Sequence, residues 1–133
     1  MSKKVILCVD DEKIILTSLK TQLKERLGSE YIYEMSENAI EAMELIEELN
    51  DDDIGIIVIV SDWLMPGIKG DEFLIKIHEK YPNIVKVMLT GQADIKAIEN
   101  AKKNANLYAC LTKPWGVDVL VNTIKSGIEK LSK

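Results

Sequence analysis

Short apolar runs alternate with helically spaced segments along this chain, and four of the runs end on polar groups. Asp10 and Asp11 follow the run at 5–9, Asp62 the run at 56–60, Thr90 the run at 85–89, and Lys113 the run at 108–111. Alternation of this kind is the pattern of repeated βα units, which build a parallel sheet. In an open parallel sheet the carboxyl ends of the strands share one edge, so groups far apart in sequence meet in one crevice. The Ile/Val run at 56–60 has no polar alternation, which predicts a strand covered on both faces at the sheet centre. A length of 133 residues fits one domain, and 47% hydrophobic content supplies a core without staples.

Five helices are expected between and after the strands. The first, over 12–27, turns Ile15, Leu16, Leu19, Leu23 and Leu27 to one side and stops at Gly28. A second strand spans 31–35. Ser36 then caps a helix whose Ala39, Ile40, Met43 and Ile46 face inward, until the polar stretch 50–53 breaks it. The third strand starts at Ile54, and further helices cover about 70–81, 93–103 and 117–131.

The convergent groups define a chemistry. Three carboxylates packed together repel, so the cluster binds a proton or recruits a cation. Oxygen ligands without a neighbouring His or Cys suit Mg²⁺. A lysine adds nothing to metal binding, but it fits an anion such as a phosphoryl group lying between it and the ion. Each residue also has an ordinary explanation: Asp10 and Asp11 as helix-start carboxylates, Asp62 and Thr90 as turn residues, Lys113 as a solvated lysine. Their position at strand ends on one edge favours the site. His78, the only histidine, is expected to face solvent between Lys76 and Lys80, with no role as a phosphodonor.

A net charge of −5 without a basic stripe argues against a nucleic-acid surface. Cys8 and Cys110, with no secretory signal, indicate a reducing compartment and no disulfide. The opening Met-Ser-Lys-Lys and apolar run are cut short by Asp10 and Asp11, and no stretch is long enough to span a membrane.

In Asp10-Asp11-Glu12, in the Asp-Trp-Leu-Met-Pro-Gly run from Asp62 to Gly67, in Thr90-Gly91 and in Lys113-Pro114, the sequence resembles the receiver domains of two-component response regulators over essentially the whole chain. The resemblance implies a flavodoxin-like (βα)5 α/β fold, a doubly wound five-stranded parallel sheet in strand order 2-1-3-4-5, with residues 1–133 forming a single phosphoacceptor domain. It implies that Asp62 accepts a phosphoryl group from a sensor histidine kinase or a histidine phosphotransfer protein. Asp11 and Asp62 would ligate Mg²⁺ (or Mn²⁺) directly, Asp10 largely through water, and the Leu64 carbonyl would add a neutral oxygen. Lys113 would pair with a phosphoryl oxygen, Thr90 would swing toward another, and the Lys113–Pro114 peptide would be cis. Leu64 and Gln92 would flank the path of the hydrolytic water. The implied protein is a cytoplasmic switch, not an enzyme, with an output domain or a homodimer engaging the fourth helix, fifth strand and fifth helix, and with no direct nucleic-acid or membrane contact.

Departures from the family pattern are informative. Cys110 stands where the family usually places the Tyr or Phe that rotates behind the threonine. Tyr108 shares the face of Cys110 by the period-two rule, leaving open whether its ring takes over. Gly116, a weaker cap, replaces the Asp of many relatives with Lys-Pro-Trp. Ile14 points away from the first helix's stripe, as a docking residue for a helical phosphodonor or as an ordinary exposed isoleucine. Trp115 is an interface anchor or packed cover. Two other readings remain. One is a receiver cut from a longer regulator. The other is a haloacid-dehalogenase-type phosphatase, which needs a second Asp two residues after its nucleophile, where this chain has Leu64.

Overall fold

In a computed structural model describing residues 4–51, 55–91 and 95–131, the apolar runs pair as predicted. The strands are β1 (Lys4–Val9), β2 (Tyr31–Ser36), β3 (Gly55–Asp62), β4 (Val85–Thr90) and β5 (Ala109–Thr112). All pairings are parallel, in the order β2-β1-β3-β4-β5, which puts β3 at the centre. The helices are α1 (Lys13–Leu27), α2 (Ala39–Asp51), α3 (Gly70–Lys80), α4 (Ile95–Asn104) and α5 (Val117–Leu131). This is the flavodoxin-like α/β fold.

The sheet has two covered faces because its strands are apolar on both sides. Leu7, Val9, Ile59 and Met88 pack under α2, α3 and α4, with Phe73, Leu74 and Ala101 among their partners. Ile6, Cys8, Val58, Val60, Val87 and Leu89 pack under α1 and α5, against Leu16, Leu19, Leu23, Leu120 and Ile124. Burying each such side chain contributes about 1.5–3 kcal/mol. The α1 stripe lies where its spacing puts it, and Gly28 ends the helix at φ 80°, a conformation that favours glycine. Gly116 stands at the start of α5, its carbonyl accepting from Leu120 N–H at 3.0 Å. The Lys113–Pro114 bond is cis. Cys8 and Cys110 are free thiols on opposite faces of the sheet.

Several expectations need correction. Ser36 is the buried last residue of β2 and caps nothing. Asn38 does the capping, its Oδ1 accepting from Glu41 N–H at 2.9 Å. Ile40 is 60% exposed, and Ala42 takes the inward place beside Ala39 and Ile46. Tyr108 does not share the face of Cys110. Cys110 packs on the α2–α4 side, whereas Tyr108 packs on the α1/α5 side and hydrogen-bonds the Ser126 hydroxyl of α5 at 2.6 Å. The strand begins only at Ala109, so the period-two rule does not reach Tyr108. Trp115 is cover, packed on the α1/α5 side with its Nε1 donating to Gln22 Oε1 at 2.8 Å. The expected strand start at Ile54, the helix start at Ala93, and Gln92 lie outside the described residues.

His78 does not simply face solvent either. Its Nδ1 lies 3.0 Å from the Nζ of Lys86, a β4 lysine that is 1% exposed and also donates to the Ile84 carbonyl at 2.9 Å. Burial pushes the Lys86 ammonium down from 10.5 to about 8, and burial followed by this neighbour lowers His78. Below about pH 8 both folded and unfolded chains hold the Lys86 proton, so the full penalty of burying the charge is present. Between there and 10.5 the unfolded chain binds more protons, so this group makes stability rise with pH. Urea unfolding of wild type and Lys86→Met should therefore diverge in pH profile. Wild type should gain on the variant by about 1–3 kcal/mol between neutral pH and pH 10. Parallel profiles would mean that the ammonium is not desolvated.

Candidate functional site

The ladder itself delivers the predicted residues to one edge. Beyond the strands, Asp10 N–H donates to the Ser36 carbonyl at 3.1 Å, Trp63 N–H to Leu89 at 3.0 Å, and Lys113 N–H to Thr90 at 2.9 Å. Each charged group is thus held by its neighbouring strand. Asp10, Asp11 and Asp62 offer carboxylate oxygens that all lie within 4.8 Å of one another. Asp10 is fully buried and Asp62 nearly so, while Asp11 is exposed.

Lys113 closes the cluster. Its Nζ donates to Asp10 Oδ2 at 2.8 Å and lies 3.1 Å from Asp62 Oδ1. The other oxygen of Asp10 accepts from Glu12 N–H at 2.9 Å. Burial raises the Asp62 carboxyl above its usual range, and Asp10 and Asp11 add to the rise against the opposing Lys113 hydrogen bond. For Lys113, burial acts to lower, but the hydrogen bonds to Asp10 and Asp62 outweigh it and the ammonium is raised. Thr90 is buried at the end of β4, paired in register with Thr112 just before Lys113.

A cavity of about 440 Å³ opens over these groups, lined by Asp11, Asp62, Leu64, Gly91 and Lys113 among others. Leu64 is 56% exposed beside it. The structure therefore brings Asp11, Asp62, Leu64 and Lys113 to one cavity, with Asp10 lying behind it and held by Lys113, while Thr90 ends the adjacent strand β4. A larger hollow, about 730 Å³, lies among Ile46, Tyr81, Ile84, Lys80 and Lys130, and among the described residues no carboxylate lines it. The convergent charges make the smaller cavity the candidate site. Its donor set fits Mg²⁺: oxygen only, from three carboxylates, with room for water in a cavity that Leu64 also lines.

Residues that sequence reasoning missed support the cluster from behind. Gly70 N–H donates to the Trp63 carbonyl at 2.8 Å, so α3 begins directly against the chain leaving Asp62. A Cβ on Gly70 would overlap the Asp62 carbonyl oxygen and lie 2.8 Å from Trp63 Cα. Asp71, 8% exposed, accepts from Trp63 Nε1 at 3.1 Å and from Asn100 Nδ2 at 3.0 Å. In the sequence Gly70 reads as a turn glycine and Asp71 as a first-turn acid, and neither spacing points to Asp62 or α4.

Gly70→Ala should be destabilising. The helix-propensity gain, about 1 kcal/mol, is outweighed by an overlap with backbone, which typically costs about 1–3 kcal/mol or more. Urea unfolding should show a net loss, and Mg²⁺ titration a weaker midpoint. A variant as stable as wild type would show that the loop yields without strain.

Comparisons with known proteins agree with this geometry. The family model described as "Response regulator receiver domain" matches residues 6–125. The chain is 32% identical over 120 residues to a chemotaxis protein CheY homolog of Campylobacter jejuni, covering 86% of this chain and 85% of that protein. It is 32% identical over 124 residues to the hydrogenase transcriptional regulatory protein HoxA of Cupriavidus necator, covering 93% of this chain but 24% of the relative. The chain thus spans about a quarter of the length of the HoxA relatives it matches. Among solved structures, a signal receiver domain of an HD domain-containing protein from Pseudomonas fluorescens superimposes with TM-score 0.87 at 26% identity, covering 98% of each chain. The beryllofluoride-activated NtrC4 receiver domain dimer gives TM-score 0.82 at 31% identity, covering 96% of this chain and 98% of that one.

Proposed function

The chain belongs to the response regulator receiver domain family, and on that premise we propose that it is a single phosphoacceptor domain whose Asp62 takes a phosphoryl group from a phosphohistidine on a sensor histidine kinase or a phosphotransfer protein. The observation that carries the reading is Lys113, drawn at once to Asp10 and Asp62 beside a cavity that Asp11 also lines. A carboxylate oxygen of Asp62 attacks phosphorus in line. The new P–O bond forms as the P–N bond to the donor imidazole breaks, and the donor nitrogen keeps the electron pair. Lys113, already in the site, turns from Asp62 to a phosphoryl oxygen, and Thr90 approaches another. Asp11 and Asp62, with the Leu64 carbonyl and with Asp10 through water, would hold Mg²⁺ or Mn²⁺. When bound, that ion supplies charge neutralisation for the transferred group.

The raised Lys113 and the crowded Asp62 fit this assignment, since the ammonium keeps its charge and the acids need a counter-ion. A dehalogenase-type phosphatase is disfavoured because Leu64 supplies no general acid. The reading is of a signalling switch, not an enzyme. Ile14, 74% exposed at the start of α1, suits the helical donor, and α4, β5 and α5 form the output face toward an output domain or a second copy. Among the described residues no helix is long and apolar enough to cross a membrane, and the free thiols fit a cytoplasmic location. The short span relative to HoxA favours a second reading, a receiver module of a longer regulator, which the codon after Lys133 would decide.

With acetyl phosphate and Mg²⁺, intact-mass analysis should show one phosphoryl group on wild type and none on Asp62→Asn. Equal labelling of the variant would overturn the assignment. Leu64, exposed at the cavity, should hinder the hydrolytic water, so Leu64→Asn should lose its phosphoryl group several-fold faster while unfolding at the same urea concentration. An unchanged decay would make Leu64 mere cover.

A further inference from the structure

Asp71 sits in the first turn of α3, where an acid ordinarily interacts with the helix dipole and stays in water. This one does neither alone. It is 8% exposed, and its two carboxylate oxygens accept from two other elements: Oδ1 from the indole of Trp63, the residue after Asp62, and Oδ2 from the side-chain amide of Asn100 in α4. The Trp63 main chain is fixed at both ends, N–H to Leu89 and carbonyl to Gly70. A displacement at Asp62 therefore moves the indole with the loop rather than being absorbed by free backbone. At the far end, Asn100 Oδ1 accepts from Asn104 Nδ2 at 2.7 Å, extending the chain of bonds one turn along α4. No comparable aromatic link is available through β5, because Cys110 has little volume and Tyr108 packs on the other face.

The geometry points to Asp71 as a positioning residue: its buried carboxylate joins the phosphoacceptor loop to α4 through Trp63 and Asn100, so that the state of Asp62 is passed to α4 along this bridge. The inference rests on the reading of Asp62 as phosphoacceptor. A carboxylate is the group required, since it accepts from two donors at once and an amide in its place would turn an N–H toward one of them. Loss of one buried partner also leaves a polar group unsatisfied, which makes the bridge sensitive to isosteric change.

The test uses beryllofluoride with Mg²⁺ on the full chain, following amide shifts across Ile95–Asn104, alongside acetyl phosphate labelling at Asp62. Asp71→Asn and Asn100→Asp should each label like wild type, yet show an α4 response reduced to about half or less. Combining them exchanges donor and acceptor between the two positions, so the double variant should recover the wild-type response; a purely structural role would make the two losses add. Should Asp71→Asn fail to fold, Trp63→Phe removes one donor alone and should give the same reduced response. Undiminished α4 shifts in the single variants, or no recovery in the double, would overturn the bridge. Loss of labelling in a folded Asp71→Asn would also overturn it by placing Asp71 in the chemistry. If wild type neither labels nor responds, the phosphoacceptor reading itself fails and the bridge falls with it.

Discussion

One ammonium holds the functional edge of the sheet together. Asp10 and Asp62 are both buried, and like charges so close repel and call for a counter-charge. Lys113 supplies it, and in doing so ties the ends of β1, β3 and β5 across the centre of the fold. Removing one partner of such a buried pair typically costs about 3–5 kcal/mol, because the other charge is left uncompensated. The same arrangement leaves room for exchange. Lys113 is needed by the acids only while nothing else neutralises them, so a cation among the carboxylates frees it for an incoming anion. On the proposed function, stability of the resting domain and readiness for phosphoryl transfer thus share one side chain.

The two faces of the sheet divide the work. Beneath α1 and α5 the packing is apolar, and Trp115 and Tyr108 close it with hydrogen bonds to Gln22 and Ser126. On the α2–α4 face the core reaches the site through Trp63, Ile68 and Met65, and polar contacts run on into α4. The proposed bridge therefore lies on the α4 side, where a close-packed core would transmit a displacement at Asp62. Cys110 lies on that face without a ring, so the proposed connection runs through the contacts of Trp63.

Much of this was legible from residue order. The α1 stripe, the span of α5 and the four polar strand ends followed from periodicity and from the shared edge of a parallel sheet, both of which depend on local spacing. What spacing does not encode stayed hidden. Nothing in the Ile/Val run of β3 marks the irregularity by which Val5 pairs with Ile56 but Ile6 with Val58, leaving Ile57 unpaired and turned to the same face as Val58. Ser36 reads as the cap until the last ladder bonds of β2 are known, which place it in the strand and leave the cap to Asn38. Tyr108 was misplaced because the strand begins one residue later than its apolar run. The Gly70 approach and the Asp71 bonds depend on how α3 and α4 sit on the sheet, which no single segment specifies.

Two lysines, Lys86 buried and Lys113 half-buried, show how neighbours, more than burial, decide what a charge does. Lys86 and Lys113 both lose water, and burial alone would lower both. Lys113 meets two carboxylates and is raised, so its charge is secured and available to an anion. Lys86 meets carbonyl oxygens and the His78 ring, none of which carries a compensating charge, and it falls to about 8. It lies toward the start of β4, at the opposite edge from Thr90. A lysine so placed adds a pH-dependent strain to folding rather than a group for chemistry. Among the described residues, the edge where strand ends bring acids and base together is where the topology supplies the partners that such a cation requires.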